Sequence, residues 1–308
     1  MTDQAIVSTL YESIGMGDAP PEAARVVVHQ NRVLATKLVE GLQIDADEKP
    51  DGISATVTVK RGARIEQPVH MCFGMLPEKG LQRIELKIRL EQRSAATLLA
   101  HCTFPNAVDV THAMDAEIAV EDGAEYSYLE RHVHGPDGGV LVLPKARVRV
   151  GDDARFRTEF QLVQGRVGKI EVDYEATVGG RSILEMVARI SGRGTDQIKI
   201  AEAAHLCGEH ARGVLTSYIA VRDEARAEVR NTMVACAPYA RGHVDCKEIV
   251  QDGASATAVP VVDVQHPKAH VTHEAAIGSV DTKQLETLMS RGLTEEAAVE
   301  LIIQGLLT

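Results

Sequence analysis

Three side chains near the C-terminus, Cys246, His273 and Glu274, combine one soft donor with two harder ones. A thiolate beside an imidazole and a carboxylate suits iron better than it suits a purely structural role. The same stretch, 243–308, holds a competing set. If 266–277 formed a helix opened by Pro267, then His266, His270 and His273 would share one face at spacings of four and three. That is zinc-ligand geometry and would suggest a metallohydrolase. Against it, HEAAI is not H-E-x-x-H, and the pattern places no general base. The β-branched residues Val261, Val262, Val264, Val271 and Thr272 favour strand instead.

Strand geometry brings its own conflict. Alternation puts His270, Thr272 and Glu274 on one side and Val271 and His273 on the other. It likewise sets Val244, Cys246 and Glu248 against His243, Asp245 and Lys247. His273 and Glu274 therefore cannot face one site from a regular strand. Either a bulge re-aims one of them, or two chains contribute.

Composition limits the rest. The 308 residues fill one large domain or two ordinary ones, and hydrophobic residues at 44% suffice for a core. The net charge of −11 with no long basic run argues against a phosphate-backbone binder. No Trp and only 3% aromatics remove the stacking platforms of single-strand nucleic-acid binders. Cys72, Cys102, Cys207, Cys236 and Cys246 form no C-x-x-C pair, so neither a zinc ribbon nor a ferredoxin-type run is present. An odd, scattered set fits a reducing cytosol. The amphipathic N-terminus and the lack of an 18-residue apolar run predict a cytoplasmic protein with no membrane contact.

Three parts position these side chains, with expected bounds 1–50, 51–278 and 279–308. In the first, Ile6, Leu10 and Ile14 repeat every fourth residue, and Gly15 and Gly17 stop that helix. Pro20-Pro21 is expected to open a second helix with Val26, Val33, Leu34 and Leu38 near one stripe. The segment 43–52, QIDADEKPDG, is expected as a linker. From about residue 53 the period becomes two, as at Ile53, Ala55, Val57 and Val59. A corner of the form V-x-D-x-A recurs at 120–124 and 150–154, and again at 221–225 and 250–254, with a weaker copy at 59–63. Intervals of 30 and 29 within these pairs, with 61 and 71 taken as about two periods, predict stacked rungs of a solenoid. The last part reads as two helices, one capped by Asp281 with Gln284 completing a capping box, the other by Thr294. Leu285, Leu288, Met289, Leu301, Ile302 and Leu306 give them an apolar surface for packing or for docking a partner.

The run AHVTHEAAIG, the tail LMSRGLTEEAAVELIIQG and a cysteine 28 residues before Glu274 closely resemble the SufB/SufD family. The resemblance is strong over 243–308 and diffuse over roughly 53–242. The chain looks like the compact form paired with a single ABC-type ATPase in minimal systems. The resemblance implies a mainly β protein, a right-handed parallel β-helix with helical ends. It also implies a homodimer through the last strands, a SufC-like ABC ATPase docked on the C-terminal helices, and apo iron–sulfur proteins as recipients. The role implied is an assembly scaffold, not an enzyme, holding a transient iron–sulfur cluster at the dimer interface. Cys246 matches the cysteine required in SufB, Glu274 its neighbouring carboxylate, and His273 the interface histidine of SufD. One departure is that the sulfur-accepting motif Y-x-E-G-C reads Tyr128-Leu129-Glu130-Arg131-His132, so the acceptor cysteine is replaced by His132. Sulfur then arrives as free sulfide or through another thiol such as Cys102.

The remaining candidates are weaker. Cys72 and Cys102 lie in apolar settings and are expected in the core, with His101-Cys102 a minor candidate for sulfur handling. Cys207 and Cys236 have no motif. His112, His132 and His134 form a second candidate cluster, although histidines on exposed strands are commonly only solvated. No G-x-x-x-x-G-K-[ST] occurs, so ATP hydrolysis belongs to a partner. Three readings stand: a cluster-assembly scaffold, a zinc hydrolase using His266, His270 and His273, and a structural solenoid subunit.

Overall fold

The computed structural model describes residues 1–17 and 22–308. Among them, alternate strands go to two stacked sheets. The ten-stranded sheet holds β1 (Arg25–His29), β2 (Arg32–Lys37), β5 (Val69–Gly74), β7 (Ala95–Phe104), β9 (Glu125–His134), β11 (Arg155–Gln164), β13 (Ile183–Gly192), β15 (Arg212–Val221), β17 (Arg241–Val250) and β19 (His270–Gly278). The nine-stranded sheet holds β3 (Leu42–Lys49), β4 (Gly52–Val59), β6 (Lys79–Leu90), β8 (Asp109–Val120), β10 (Val140–Val150), β12 (Lys169–Val178), β14 (Gln197–Leu206), β16 (Arg226–Ala235) and β18 (Ser255–Val264).

From β4 onward every neighbouring pair within a sheet is parallel, because the chain visits the opposite sheet before it returns. The result is a β-solenoid of about eight turns with short terminal helices. Side chains of alternate positions fill the space between the sheets, as in β12, where Ile170, Val172, Tyr174, Ala176 and Val178 are buried in turn. Residues one turn apart therefore stack on the same face.

The corners explain the recurring motif. Gly123, Asp153, Asp223 and Asp252 all have positive φ, a left-handed conformation that Gly and Asp tolerate best. Asp122 Oδ1 accepts from Asp152 N at 2.9 Å, and Asp152 Oδ1 accepts from Gly180 N at 2.7 Å. Each aspartate so satisfies an amide of the next rung. The alanines Ala124, Ala154 and Ala225 are fully enclosed, leaving no room for a larger side chain.

The motif occupies two edges, however. Copies at 120–124 and 150–154 lead from the nine-stranded to the ten-stranded sheet, whereas those at 221–225 and 250–254 lead back. The interval of 71 residues is thus roughly two and a half turns of the solenoid, not two.

The N-terminal region corrects two expectations. The helix α1 (Asp3–Ser13) forms, with Thr2 Oγ1 accepting from Ala5 N and Gly15 at φ 74 after its end. The second helix does not. Its start at Pro20-Pro21 lies outside the described residues, and 25–29 and 32–37 are strands. Val26 and Val28 face the interior while Val27 packs against Leu10 and Tyr11 of α1. A strand buried on both faces reads as an unbroken apolar run, which mimics a helical stripe. The expected linker at 43–52 is likewise mostly strand: β3 pairs antiparallel with β4, and Leu42 and Ile44 point into the core.

At the other end, α2 (Thr282–Ser290) and α3 (Glu295–Leu307) are capped by Asp281 and Thr294, which accept from Gln284 N and Ala297 N. Ile303 and Leu307 of α3 pack with Ala220 on the outer face of β15. Arg193 and Arg222 clamp Glu300 at 3.1 and 2.8 Å. No residue of α2 is buried, and Met289 and Leu301 are exposed. Among the described residues no helix is long and apolar enough to cross a membrane.

Candidate functional site

The expected site lies at the open C-terminal end of the solenoid. β17 carries Cys246 on its inward face, fully buried, together with Val244 and Glu248. Asn231 of β16 donates from Nδ2 to Ser217 Oγ at 2.8 Å and to Cys246 Sγ at 3.6 Å. Burial, with the carboxylate of Glu248 nearby, pushes the Cys246 thiol up to about 11. A neutral thiol is therefore its resting form, and a bound cation would be needed to hold it as thiolate.

β19 pairs with β17 so that Val244 faces His273, Asp245 faces Glu274 and Cys246 faces Ala275. No bulge interrupts this register. His273 thus falls on the same sheet face as Cys246, whereas Glu274 falls on the opposite face beside Asp245 and adds to the negative field that raises Lys247. Both His273 and Glu274 are exposed, because β18 and β19 end their sheets and none of the described residues covers them. The structure brings Cys246 and His273 to one face and separates Glu274 from them.

The zinc set does not assemble. Residues 266–277 are not a helix: His266 sits in the turn before β19, accepting from Lys268 N at its Nδ1, while His270 and His273 alternate on a strand. The valine-rich flanks decide this, as their β-branched side chains favour a pleated surface.

A second cluster lies in the interior near the N-terminal end. Cys102 of β7 is in direct register with His132 of β9, and His112 reaches in from β8 of the facing sheet. One potential ligand atom of each lies within 4.8 Å of the others. All three are buried, so the histidines are core groups and not solvated ones. Burial pushes His112, His132 and His134 down to about 3 and Glu130 up to about 7, while the Cys102 thiol is raised well above its ordinary value. His132 Nε2 meets Glu130 Oε1 at 2.8 Å, and Tyr174 donates to Glu130 Oε2 at 3.0 Å.

From Tyr174 a row of polar side chains follows the sheet register, Tyr174 to Glu202 to Asn231, one per turn on β12, β14 and β16. All three are buried, and Glu202 is pushed up to about 8 by burial alone. The row joins the Cys102 cluster at one end to Cys246 at the other. A thiol pair, Cys207 and Cys236, meets at the surface with sulfurs 3.1 Å apart. Sequence reading assigned neither Cys207 nor Cys236 a partner, although their separation of 29 residues is one turn.

The sequence matches the family model for the SUF system FeS cluster assembly SufBD core domain over residues 77–306. The chain belongs to the SufB/SufD family. An iron-sulfur cluster assembly SufBD family protein of Methanocaldococcus jannaschii is 36% identical over 296 residues, 96% of this chain and 92% of that protein. A SufBD family protein of Pyrococcus horikoshii is 34% identical over 284 residues, covering 92% and 86%. The SufB of Bacillus subtilis is 24% identical over 258 residues, 81% of this chain and 54% of its own. The two archaeal relatives thus share this SufBD protein's compact length, and the family match begins just ahead of β6 and runs into α3.

Proposed function

We propose that this SufBD protein is a scaffold on which an iron–sulfur cluster is assembled across an interface between two copies of the chain. The observation that carries the reading is the register of β17 and β19, which puts Cys246 and Glu274 on opposite faces at an open solenoid end. Two copies joined edge to edge through β18 and β19 would gather the exposed His273 and Glu274 of both chains at one seam beside the two Cys246 thiols. The exposed edge strands and the exposed Val262, Val264 and Ile277 support such pairing. Cys246, His273 and Glu274 would hold the nascent cluster as cargo for apo iron–sulfur proteins.

Cys246 is enclosed in the single chain, so loading requires the last rung to move. An ABC-type ATPase of the SufC kind, docked on α2 and on the exposed Met289 and Leu301, supplies that movement when its subunits close. This reading assigns the chain no catalytic step of its own and a cytoplasmic location. The experiment is anaerobic reconstitution with ferrous iron and sulfide, reading iron and acid-labile sulfide per chain. The parent should load, and Cys246→Ser and Glu274→Ala should not. Full loading of Cys246→Ser would move the site elsewhere.

A further inference from the structure

The cluster around Cys102 lies several turns from the open end and is untouched by the scaffold reading. Its hydrogen bonds fix which atoms are free. Gln82 donates from Nε2 to Gln30 O at 2.8 Å, so its Oε1 is the atom facing His112 Nδ1 at 3.0 Å. His112 must therefore carry its proton on Nδ1, and its Nε2 is buried with no partner. On the other side, His134 Nδ1 donates to Arg166 O at 2.9 Å, which leaves His134 Nε2 as acceptor for His132 Nδ1 at 3.3 Å. His132 then carries its proton on Nδ1, and its Nε2 accepts from the protonated carboxyl of Glu130 at 2.8 Å, a proton that a bound cation would displace. Both imidazoles are held by backbone-anchored partners in the tautomer that a metal requires.

We propose that Cys102, His112, His132 and Glu130 form a closed binding site for one divalent transition-metal ion, zinc or ferrous iron, inside the solenoid. One thiolate and one carboxylate neutralise a doubly charged ion, so the bound site carries no net charge into a dry interior. One sulfur, two nitrogens and one oxygen make a donor set for borderline ions. Donors in a tetrahedral zinc site stand roughly 3.3–3.6 Å apart, given bonds of about 2.0–2.3 Å. The Cys102, His112 and His132 atoms already lie within 4.8 Å of one another, and Glu130, outside that set, would swing in from His132 Nε2, which its Oε1 meets at 2.8 Å. Tyr174 on Glu130 and Gln82 on His112 supply outer hydrogen bonds.

The test uses the full-length chain with Cys207→Ser and Cys236→Ser, which removes the surface thiols, after treatment with chelator. It is titrated anaerobically with cobalt(II) alone. One equivalent should bind with a thiolate-to-cobalt charge-transfer band and tetrahedral d–d bands. Cys102→Ala should lose the charge-transfer band, Cys246→Ser should keep it, and Gln82→Leu should weaken binding about 10–100-fold. Circular dichroism verifies that each variant is folded. Zinc and, separately, ferrous iron are then added to displace cobalt, and the one effective at lower concentration identifies the preferred ion. Absence of a thiolate band in the folded parent, or its persistence in Cys102→Ala, would overturn the proposal. So would its loss in Cys246→Ser. None of these outcomes depends on whether a cluster forms at the open end.

Discussion

Cys246 and Glu274 leave adjacent strands of one sheet on opposite faces, because 28 residues separate them where one turn takes 29. The residue opposite Cys246 is Ala275, and the inward neighbour that does reach its face is His273. Proximity in sequence thus becomes separation across a sheet, and a regular β19 does not turn its own carboxylate towards the thiol.

That relationship can be tested by moving the carboxylate. The pair Glu274→Ala with Ala275→Glu would place the acid on the same face as Cys246 within one chain. If the cluster draws on two chains, this double variant should load no more iron than Glu274→Ala alone. Recovery of parental iron content would mean that a single chain supplies all the ligands.

The solenoid's stability has an identifiable buried anchor. Asp196, at the corner between β13 and β14, accepts from Arg166 Nε and Nη2, from Gly168 N, Val167 N and Arg193 N, all at 2.9–3.0 Å. Asp196→Ala leaves a partly exposed guanidinium and three amides without their acceptor and should cost about 2–3 kcal/mol of unfolding free energy. Denaturant unfolding measures this, and a change below about 1 kcal/mol would show that water replaces the carboxylate readily.

Much of this architecture was legible in the sequence, and what was lost has separate physical causes. The period-two stretches from residue 53 and the corner aspartates gave the solenoid, and the caps at Asp281 and Thr294 gave the last helices. The strand at 25–29 was missed because Val26, Val27 and Val28 are buried on both faces, which erases alternation, while the polar outward residues of 42–49 read as a linker. His112, His132 and His134 were noted as a cluster, but the stacking of Cys102 on His132 and the buried row Tyr174, Glu202 and Asn231 were missed, because the repeat was applied to the corners and not to the side chains between them. Cys102 and His132 are 30 residues apart and Cys207 and Cys236 are 29, each one turn. Once the period is known, such pairs must stack. The contribution of His112 from the opposite sheet is set by how the two sheets align, and no spacing along the chain encodes that.

The buried carboxyl of Glu202 gives a pH signature. Its ordinary value of 4.5 is pushed up to about 8 by burial, so the folded chain keeps a proton that the unfolded chain releases. Stability from this group is therefore lost as pH rises from about 4.5 to about 8, and stays lost above. Glu202→Gln mimics the protonated form. Its melting temperature relative to the parent should climb steadily across that window, and a pH-independent difference would show that Glu202 is ionised when folded.

The surface thiols of Cys207 and Cys236 should close under mild oxidation. Diamide takes up the two hydrogens as the sulfurs join, and intact mass should fall by two hydrogens with no change in oligomer size. Peptide mapping should find the bond between 207 and 236, since their sulfurs already stand 3.1 Å apart. Cys236→Ser should abolish it. A disulfide involving Cys246 instead would contradict the burial of that thiol.

The central claim is that the cluster needs two copies of this chain. Native mass spectrometry of the anaerobically reconstituted protein, diluted through its dimer dissociation range, reads oligomeric state and bound iron and sulfide in the same spectrum. Iron and sulfide should appear only on dimers, and Ile277→Lys on the exposed edge strand should reduce both dimer and cluster together. Monomers carrying a cluster that disappears in Cys246→Ser would contradict it.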